Sequence, residues 1–187
     1  MAKPGIHAYI DIQLKDKNGK VLKKLRFKSK SWVKNMAILL SGALSNTSFT
    51  LIDQSGNNAN VSNNTDVVSV FKTNAPAGED RYGILVGSGT NPVSPNDYKL
   101  YNKISNSVLA YSDTNIGQFT GDENGFTFAI SRTFTNNGTQ AVTVSEVGLA
   151  ILGASLWILI ARDLLSSPIT VQPGQVLQVV YAISLLP

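Results

Sequence analysis

The 187-residue sequence contains no cysteine and a single histidine, His7. Without cysteine, neither disulfide bonds nor a thiolate metal site can stabilise the fold. A nucleophilic triad needs a base to activate its hydroxyl group, and that base is normally histidine. His7 lies in a polar strand position and no Gly-x-Ser-x-Gly motif accompanies it. The sequence therefore predicts no enzymatic activity, no cofactor and no small-molecule substrate.

Charged residues and long apolar runs are also scarce. Charged residues make up 15% of the chain, below the usual ~25%, while asparagine occurs 17 times. The uncharged stretch between Glu146 and Arg162 is fifteen residues long. It is shorter than the ~18 to 20 residues that a spanning helix needs, and Gly153 interrupts it, so no membrane partner is predicted. Residues 1–5 are not followed by the apolar core of a signal peptide, and classical export is not expected.

Most of the chain shows the patterns of antiparallel strands. Four C-terminal runs are rich in apolar, β-branched residues, and they predict one sheet on which the rest packs: 141–145, 147–152, 156–161 and 176–185. Residues 126–134 alternate between apolar and polar side chains and predict a further long strand. The total of about eight to ten strands is typical of two-sheet proteins. The sequence predicts an all-β fold, an antiparallel β-sandwich of jelly-roll type, as one domain over residues 1–187.

The N-terminal part predicts a hairpin. Residues 6–14 alternate, Asn18-Gly19 favours a tight turn, and a strand returns from Lys20 to Lys30. We expect residues 1–34 to form a basic hairpin attached to a main sandwich over residues 67–187.

Helical spacing of apolar residues follows the hairpin and predicts a helix over residues 31–44, with Ser31 as its cap. Its inward face should carry Trp32, Val33, Met36, Leu39, Leu40 and Ala43. Residues 53–66 are rich in Asn and Ser and predict an exposed loop, and residues 67–72 predict a strand.

Two local patterns suggest binding or catalysis but have a simpler interpretation. Gly87-Ser88-Gly89-Thr90 has the glycines of a phosphate-binding loop, yet it lacks the Gly-Lys-Ser/Thr ending, so a tight turn after a buried strand is favoured. Paired carboxylates occur at Glu79-Asp80 and Asp122-Glu123. Both pairs fall in predicted turns, where acidic residues are common, so neither a glycosidase pair nor a metal site is predicted there.

Glu146 interrupts an apolar strand, and a carboxylate in that position needs a partner. Arg162, at the end of the 156–161 run, is a plausible cross-strand partner. The sequence therefore predicts a structural ion pair between Glu146 and Arg162.

Positive charge is concentrated at the N-terminus. Residues 1–34 hold ten basic and two acidic residues, a net charge of +8, whereas residues 35–187 hold six basic and ten acidic residues, a net charge of −4. A solvated strand face is one interpretation. The other is contact with nucleic-acid phosphates, without base specificity, through Lys20, Lys23, Lys24, Arg26, Lys28 and Lys30.

Several segments between about residues 83 and 183 form a set: 87–90 (GSGT), Pro92, Pro95, Asp97, Leu100, 132–134 (RTF), 145–149 (SEVGL), 159–163 (LIARD), 169–171 (ITV), 173–175 (PGQ) and Tyr181. The set resembles a pattern in virion structural proteins of bacteriophages and archaeal viruses. Ser-Glu-Val-Gly-Leu and Ala-Arg-Asp are its more specific parts. In such proteins these segments are strands of a β-sandwich or jelly roll, and the resemblance implies a capsid, decoration or tail component without catalysis. The asparagine-rich, weakly charged sequence is also similar to proteins of viruses that infect thermoacidophilic archaea, where single jelly-roll capsid proteins occur.

The expected function is therefore a virus structural protein located in the virion. The first expectation is a self-assembling capsid protein that contacts copies of itself, other virion proteins and, through its basic N-terminal region, the genome. The alternatives are a spike, decoration or tail protein, or a carbohydrate- or receptor-binding β-sandwich. For the last of these, stacking surfaces would come from four tyrosines expected to be exposed, Tyr82, Tyr98, Tyr101 and Tyr111.

Overall fold

The computed structural model describes residues 5–45, 47–61, 71–122, 125–153 and 156–186. Within these ranges the chain forms one helix and a series of strands: β1 (Gly5–Lys15), β2 (Val21–Lys28), α1 (Lys34–Ser45), β3 (Phe49–Ile52), β4 (Asn58–Val61), β5 (Gly83–Gly87), β6 (Ala110–Tyr111), β7 (Asn115–Ile116), β8 (Thr120–Asp122), β9 (Gly125–Thr135), β10 (Val142–Gly153), β11 (Leu156–Val171) and β12 (Val176–Leu186). The predicted all-β class is confirmed, since strands dominate the described residues, and the sheet pairings between these strands are antiparallel.

The larger sheet has seven strands and contains the predicted hairpin. Its order is β2-β1-β12-β9-β6, and β7 and β8 also pair with β9. The turn between β1 and β2 forms as predicted, because the Asp16 side chain accepts hydrogen bonds from the amides of Asn18 and Lys20, and Gly19 adopts a φ of 83°. The hairpin thus forms one end of this sheet, with β2 as its edge strand.

The smaller main sheet has the order β11-β10-β5, and β3 and β4 form a separate two-stranded sheet. Strand alternation sends Ile10, Val179 and Phe134 from the larger sheet into the same buried cluster as Ile84 and Leu149 from the smaller one. One hydrophobic core therefore joins the two main sheets.

The prediction of a single C-terminal sheet is wrong. The runs 141–145 and 147–152 form one continuous strand, β10, which pairs with β11 in the smaller sheet. The run 176–185 forms β12, which lies between β1 and β9 in the larger sheet. The apolar pattern of a strand indicates burial but not which sheet the strand joins, and β12 crosses to the opposite side of the core.

The helix prediction needs two corrections. The helix starts at Lys34 rather than at residue 31, because Trp32 forms a bridge with Ala161 and the Val33 amide donates to the Ile160 carbonyl. The preceding segment thus covers the edge of β11. Leu40 is exposed rather than inward-facing, as is Ala43. Among the described residues, no helix is long and apolar enough to cross a membrane.

A polar residue replaces apolar ones on the buried side of α1. The Asn35 side chain donates to the carbonyls of Ile52, at 2.8 Å, and Leu159, at 3.2 Å, and it accepts from the Ile52 amide. These bonds join α1 to β3 and β11 and satisfy a buried amide side chain.

The predicted loop over residues 53–66 is only partly a loop. Residues 58–61 form β4, which pairs with β3 and buries Ala59 and Val61. Two alternating small apolar residues were enough to form a strand once β3 offered hydrogen-bonding partners. Residues 62–66, and most of the predicted strand over 67–72, lie outside the described residues.

Candidate functional site

All six candidate nucleic-acid contacts are exposed: Lys20, Lys23, Lys24, Arg26, Lys28 and Lys30. Four of them lie on the edge strand β2, Lys20 lies at the end of the turn before it, and Lys30 follows it. Arg26 stands over the ring of Tyr9, 5.1 Å from the ring centre, and its Nε lies 3.6 Å from Asp11 Oδ1. The structure thus places a cationic strand at one edge of the larger sheet.

Glu146 and Arg162 are in contact, as predicted for this ion pair, and both are completely buried. Arg162 Nε lies 2.7 Å from Glu146 Oε2, although the two residues are diagonal rather than direct cross-strand neighbours. A second carboxylate, which the sequence analysis missed, completes a triad, because Arg162 Nη1 lies 2.9 Å from Asp97 Oδ2. The two buried carboxylates need further hydrogen-bond donors, because the single positive charge of Arg162 does not balance both negative charges.

Those additional hydrogen bonds come from the backbone of residues 89–102. The Glu146 carboxylate accepts from the amides of Gly89, Tyr101 and Asn102 as well as from Arg162. Four donors fill the acceptor positions of a carboxylate. Glu146 is therefore occupied in holding this segment and offers no lone pair to a substrate.

The Gly87-Ser88-Gly89-Thr90 turn binds an anion, but the anion is a side chain of the protein itself. Gly87 lies opposite Glu146 in the strand register, and a Cβ atom at Gly87 or at Gly89 would collide with the Glu146 carboxylate. The glycines are needed for this close approach. The phosphate-loop motif therefore has a structural explanation that the sequence alone did not indicate.

Arg132 is a second buried arginine, and it has no carboxylate partner among the described residues. Its five guanidinium hydrogens point at five main-chain carbonyls, those of Pro76, Glu79, Tyr82, Ile84 and Ser112, at 2.6 to 3.2 Å. Burial lowers its pKa. Arg132 belongs to β9 and Ile84 to β5, so this side chain connects the two main sheets.

A signal for Arg132 was present in the sequence. Arg132 occupies an inward position in the alternating pattern of β9, between Ile130 and Phe134, which are both buried. A charged residue at a core position must have hydrogen-bonding partners. The sequence does not show that those partners are main-chain carbonyls of residues 76–84 and of Ser112.

The Glu79-Asp80 pair stabilises the segment that carries the Pro76 and Glu79 carbonyls, which accept from Arg132. Arg81 donates to both Glu79 oxygens, and this hydrogen bonding lowers the pKa of Glu79. Burial acts to raise the pKa of Asp80, but hydrogen bonds from Lys103 and Asn106 outweigh it, and the pKa is lowered. Both carboxylates have cationic partners of their own. Of the other predicted pair, Asp122-Glu123, Glu123 lies outside the described residues.

The four tyrosines proposed as stacking surfaces do not act together. Tyr82 and Tyr111 are buried, so their prediction as exposed residues is wrong. The Tyr111 hydroxyl donates to the Ile104 carbonyl, and its ring packs edge-on against Phe134. Tyr98 and the exposed Tyr101 line a shallow pocket of about 210 Å³ together with Ser94, Asn96, Asp97 and Lys99.

An apolar patch lies uncovered at one end of the larger sheet. Ile6, Leu185 and Phe126 are neighbours across β1, β12 and β9, and they are 55%, 41% and 46% exposed. Strand alternation puts them on the core side of the sheet, in line with Ala8 and Ile10. Phe119 stacks on Phe126 at 5.3 Å and is 62% exposed. We call these four residues the apolar end patch.

Among the described residues, no group of three His, Cys, Asp or Glu side chains is arranged to hold a metal ion. Comparisons of the chain with family models, curated proteins and solved structures gave no match.

Proposed function

We propose that this chain is a virion structural protein, a β-sandwich of jelly-roll type that self-assembles into a capsid shell with its basic hairpin directed at the genome. Its partners are then copies of itself, other virion proteins and genomic nucleic acid. The observation that carries the proposal is the apolar end patch, because it continues the core face of the larger sheet to the surface.

The strand order supports the jelly-roll part of the proposal. Strands β9 and β12 are neighbours in the larger sheet, while β10 and β11, which connect them along the chain, are neighbours in the smaller sheet. A long hairpin folded over in this way is how jelly rolls place consecutive strands in facing sheets. The resemblance over residues 83–183 points to the same architecture.

The apolar end patch supports self-assembly. Single exposed apolar residues are common on protein surfaces, but a contiguous row is typical of an interface. Aromatic residues are enriched at the centres of such interfaces, and Phe119 and Phe126 supply a stacked pair. The buried ion-pair triad of Glu146, Arg162 and Asp97 supports assembly in another way, because it fixes a long connection between strands in one conformation. A subunit with fixed loops loses less conformational entropy on association.

Light scattering and electron microscopy of the purified protein test the proposal. We expect symmetric oligomers or shells for the wild type and folded monomers for Phe119→Ser/Phe126→Ser. The control is Leu44→Ser/Val108→Ser, which removes two exposed apolar side chains outside the patch and should leave assembly intact. A wild type that stays monomeric at high concentration, across salt and pH, would overturn the capsid proposal.

Two other virion positions remain as alternatives, a spike or decoration protein and a tail protein. Both also require subunit contacts, so electron microscopy of particles labelled on this chain would separate them from a shell protein.

A second candidate of a different class is a carbohydrate- or receptor-binding β-sandwich. The pocket between Tyr98 and Tyr101 supports it, since tyrosine rings beside amide and hydroxyl groups suit a sugar face. A glycan array tests this candidate, with Tyr101→Ala as the variant that should lose any signal. Binding by a monomeric wild type would favour this module over the capsid protein.

A further inference from the structure

We propose that the genome contact is confined to one face of the hairpin: the outer face of the larger sheet at β2 and β1 binds the sugar-phosphate backbone of a nucleic-acid strand. The inference rests on the proposed function and specifies which surface of the subunit meets the genome. It divides the six candidate basic residues into those that take part and those that do not.

The strand register makes this division. Lys24, Arg26 and Lys28 lie opposite Gln13, Asp11 and Tyr9, respectively. These β1 residues alternate with the buried residues Ala8, Ile10 and Ile12, so they and their partners point away from the core. Lys23, in contrast, lies opposite Leu14 and has the core-side orientation, although it is exposed on this edge strand.

Charge on this outer face is almost entirely positive. Lys15 joins the three β2 residues and donates to Gln178 on β12 at 2.7 Å. The only acidic residue of β1, β2, β9 and β12 on this face is Asp11, which is paired with Arg26. The adjoining positions of β12 and β9 carry Gln178, Ser184, Thr133, Ser131, Ala182 and Val180. Four cations beside an uncharged face that includes hydroxyl and amide groups match a polyanion that also offers sugar oxygens.

The shape of the surface also fits an extended strand. A shallow groove of about 640 Å³ crosses β2, β1 and β12, and its lining includes Lys24, Arg26, Gln13 and Val180 together with Asp11, the partner of Arg26. Alternate side chains on one face of a strand are about 7 Å apart. Lys24, Arg26 and Lys28 therefore form a row whose spacing is comparable to that of successive phosphates along a stretched strand. Tyr9 lies at the end of this row, and the Arg26 guanidinium stands over its ring.

Edge protection is the competing explanation for lysines on β2. Charged side chains on an edge strand prevent another strand from pairing with it, and for this purpose the face to which they point is unimportant. Phosphate binding in the groove depends on the face. A comparison of equal charge losses on the two faces therefore distinguishes the explanations.

The main experiment compares two triple variants of the full chain by titration of a fluorescent, mixed-sequence single-stranded oligonucleotide. Lys24→Gln/Arg26→Gln/Lys28→Gln removes three charges from the outer face. The matched control, Lys17→Gln/Lys20→Gln/Lys23→Gln, also removes three charges. Two of them lie in the turn, and the third, at Lys23, has the core-side orientation. Each lost phosphate contact should lower affinity roughly 4-fold at about 0.15 M salt, so the outer-face variant should bind up to about 60-fold more weakly. Its log–log salt slope should also flatten by up to ~2, and the control should keep the wild-type slope.

Lysine footprinting of the wild type gives a measurement that needs no substitution. Acetylation read by mass spectrometry should be suppressed by the oligonucleotide at Lys15, Lys24 and Lys28 but not at Lys17 or Lys20. Equal weakening by both triple variants, or equal protection of all lysines, would overturn the face assignment while leaving a genome-facing hairpin. A wild type that assembles but binds no oligonucleotide would overturn the inference and keep the assembly proposal. A wild type that neither assembles nor binds would overturn both.

Discussion

The cationic side chains of the N-terminal hairpin extend into solvent, whereas the two arginines of β9 and β11 are completely buried. In the hairpin, the described ion pair, Arg26 with Asp11, is long at 3.6 Å and exposed. In the buried region, Arg162 and Arg132 have nearly every guanidinium hydrogen directed at an acceptor.

The difference shows which charges serve the fold and which are available to a partner. A solvated cation contributes little to stability, so its removal changes mainly what the surface can bind. A buried cation has lost its hydration, and its hydrogen bonds must replace that hydration. Stability should therefore depend strongly on the buried set and weakly on the hairpin, whereas nucleic-acid affinity should show the reverse.

The largest effect is expected at Glu146 and Arg162. Replacing either residue alone by alanine should lower the free energy of unfolding by about 3 to 5 kcal/mol, because the remaining partner is a buried charge without compensation. Arg162→Ala should be the more severe change, since it leaves both Glu146 and Asp97 without a cation. Urea unfolding of both single variants and the double variant measures these costs and their coupling.

Hydrogen exchange provides a local control for the same variants. The amides of Gly89, Tyr101 and Asn102, which donate to Glu146, should lose protection in both variants. A coupling energy of zero between positions 146 and 162 would mean that the buried pair does not act as a unit.

The next largest effect is expected for Arg132→Lys. Lysine keeps the charge but cannot direct five donors at carbonyls of Pro76, Glu79, Tyr82, Ile84 and Ser112. Several buried carbonyls then lose their partner, and the free energy of unfolding should fall by about 3 kcal/mol. Urea unfolding measures the loss. A lysine variant as stable as the wild type would show that the five hydrogen bonds from Arg132 to carbonyls contribute little to stability.

Asp163 joins the two regions and should give a smaller, pH-dependent effect. It accepts from the Ser29 hydroxyl at 2.7 Å and from the Lys30 amide at 3.1 Å, where the hairpin ends. Burial raises its pKa above the ordinary 3.8, against the opposing effect of these hydrogen bonds. The native state therefore holds this proton more tightly than the unfolded state. Its contribution to stability is present below pH 3.8 and is lost as pH rises through the raised pKa.

Asp163→Asn removes the titrating carboxyl group, so this variant is the reference for the wild type. The stability of the wild type minus that of the variant, from urea unfolding between about pH 3 and 7, should decrease with rising pH. The lowered pKa values of Glu79 and Asp80 act in the opposite direction, but they cancel in this difference because both proteins contain them. A difference that grows with pH would show that Asp163 is stabilised as the anion.

Local sequence patterns predicted many features of both regions. The hairpin, its Asn-Gly turn and the long strand β9 follow from residue alternation and turn chemistry, and all three are confirmed. The exposed basic strand follows from a charge imbalance that no core could bury. Glu146 and Arg162 were predicted as partners because Glu146 interrupts an apolar strand and Arg162 ends another apolar run, and they are in contact in the structure.

Long-range partners could not be predicted in the same way. Asp97 reaches Arg162 from a connection 65 residues away, and the carbonyls that surround Arg132 belong to residues 76–82, to β5 and to Ser112. Neither relation leaves a spacing pattern in the sequence. The division of the C-terminal strands between two sheets has the same cause, since periodicity indicates which face is buried but not against which strand.

The smallest change in stability is expected for Arg26→Gln, and it gives the sharpest test of the comparison. The Arg26 side chain is 64% exposed, and the distance to Asp11 is long, so removal of this pair should change the free energy of unfolding by only about 0 to 1 kcal/mol. The ring of Tyr9 loses its cation, but an exposed cation–π contact contributes at most about 1 kcal/mol. Nucleic-acid affinity, in contrast, should fall roughly 4-fold at about 0.15 M salt if Arg26 makes the proposed phosphate contact. Thermal unfolding and the oligonucleotide titration on the same sample measure both quantities. A large loss of stability with unchanged affinity would place Arg26 with the buried arginines and contradict the division between structural and surface cations.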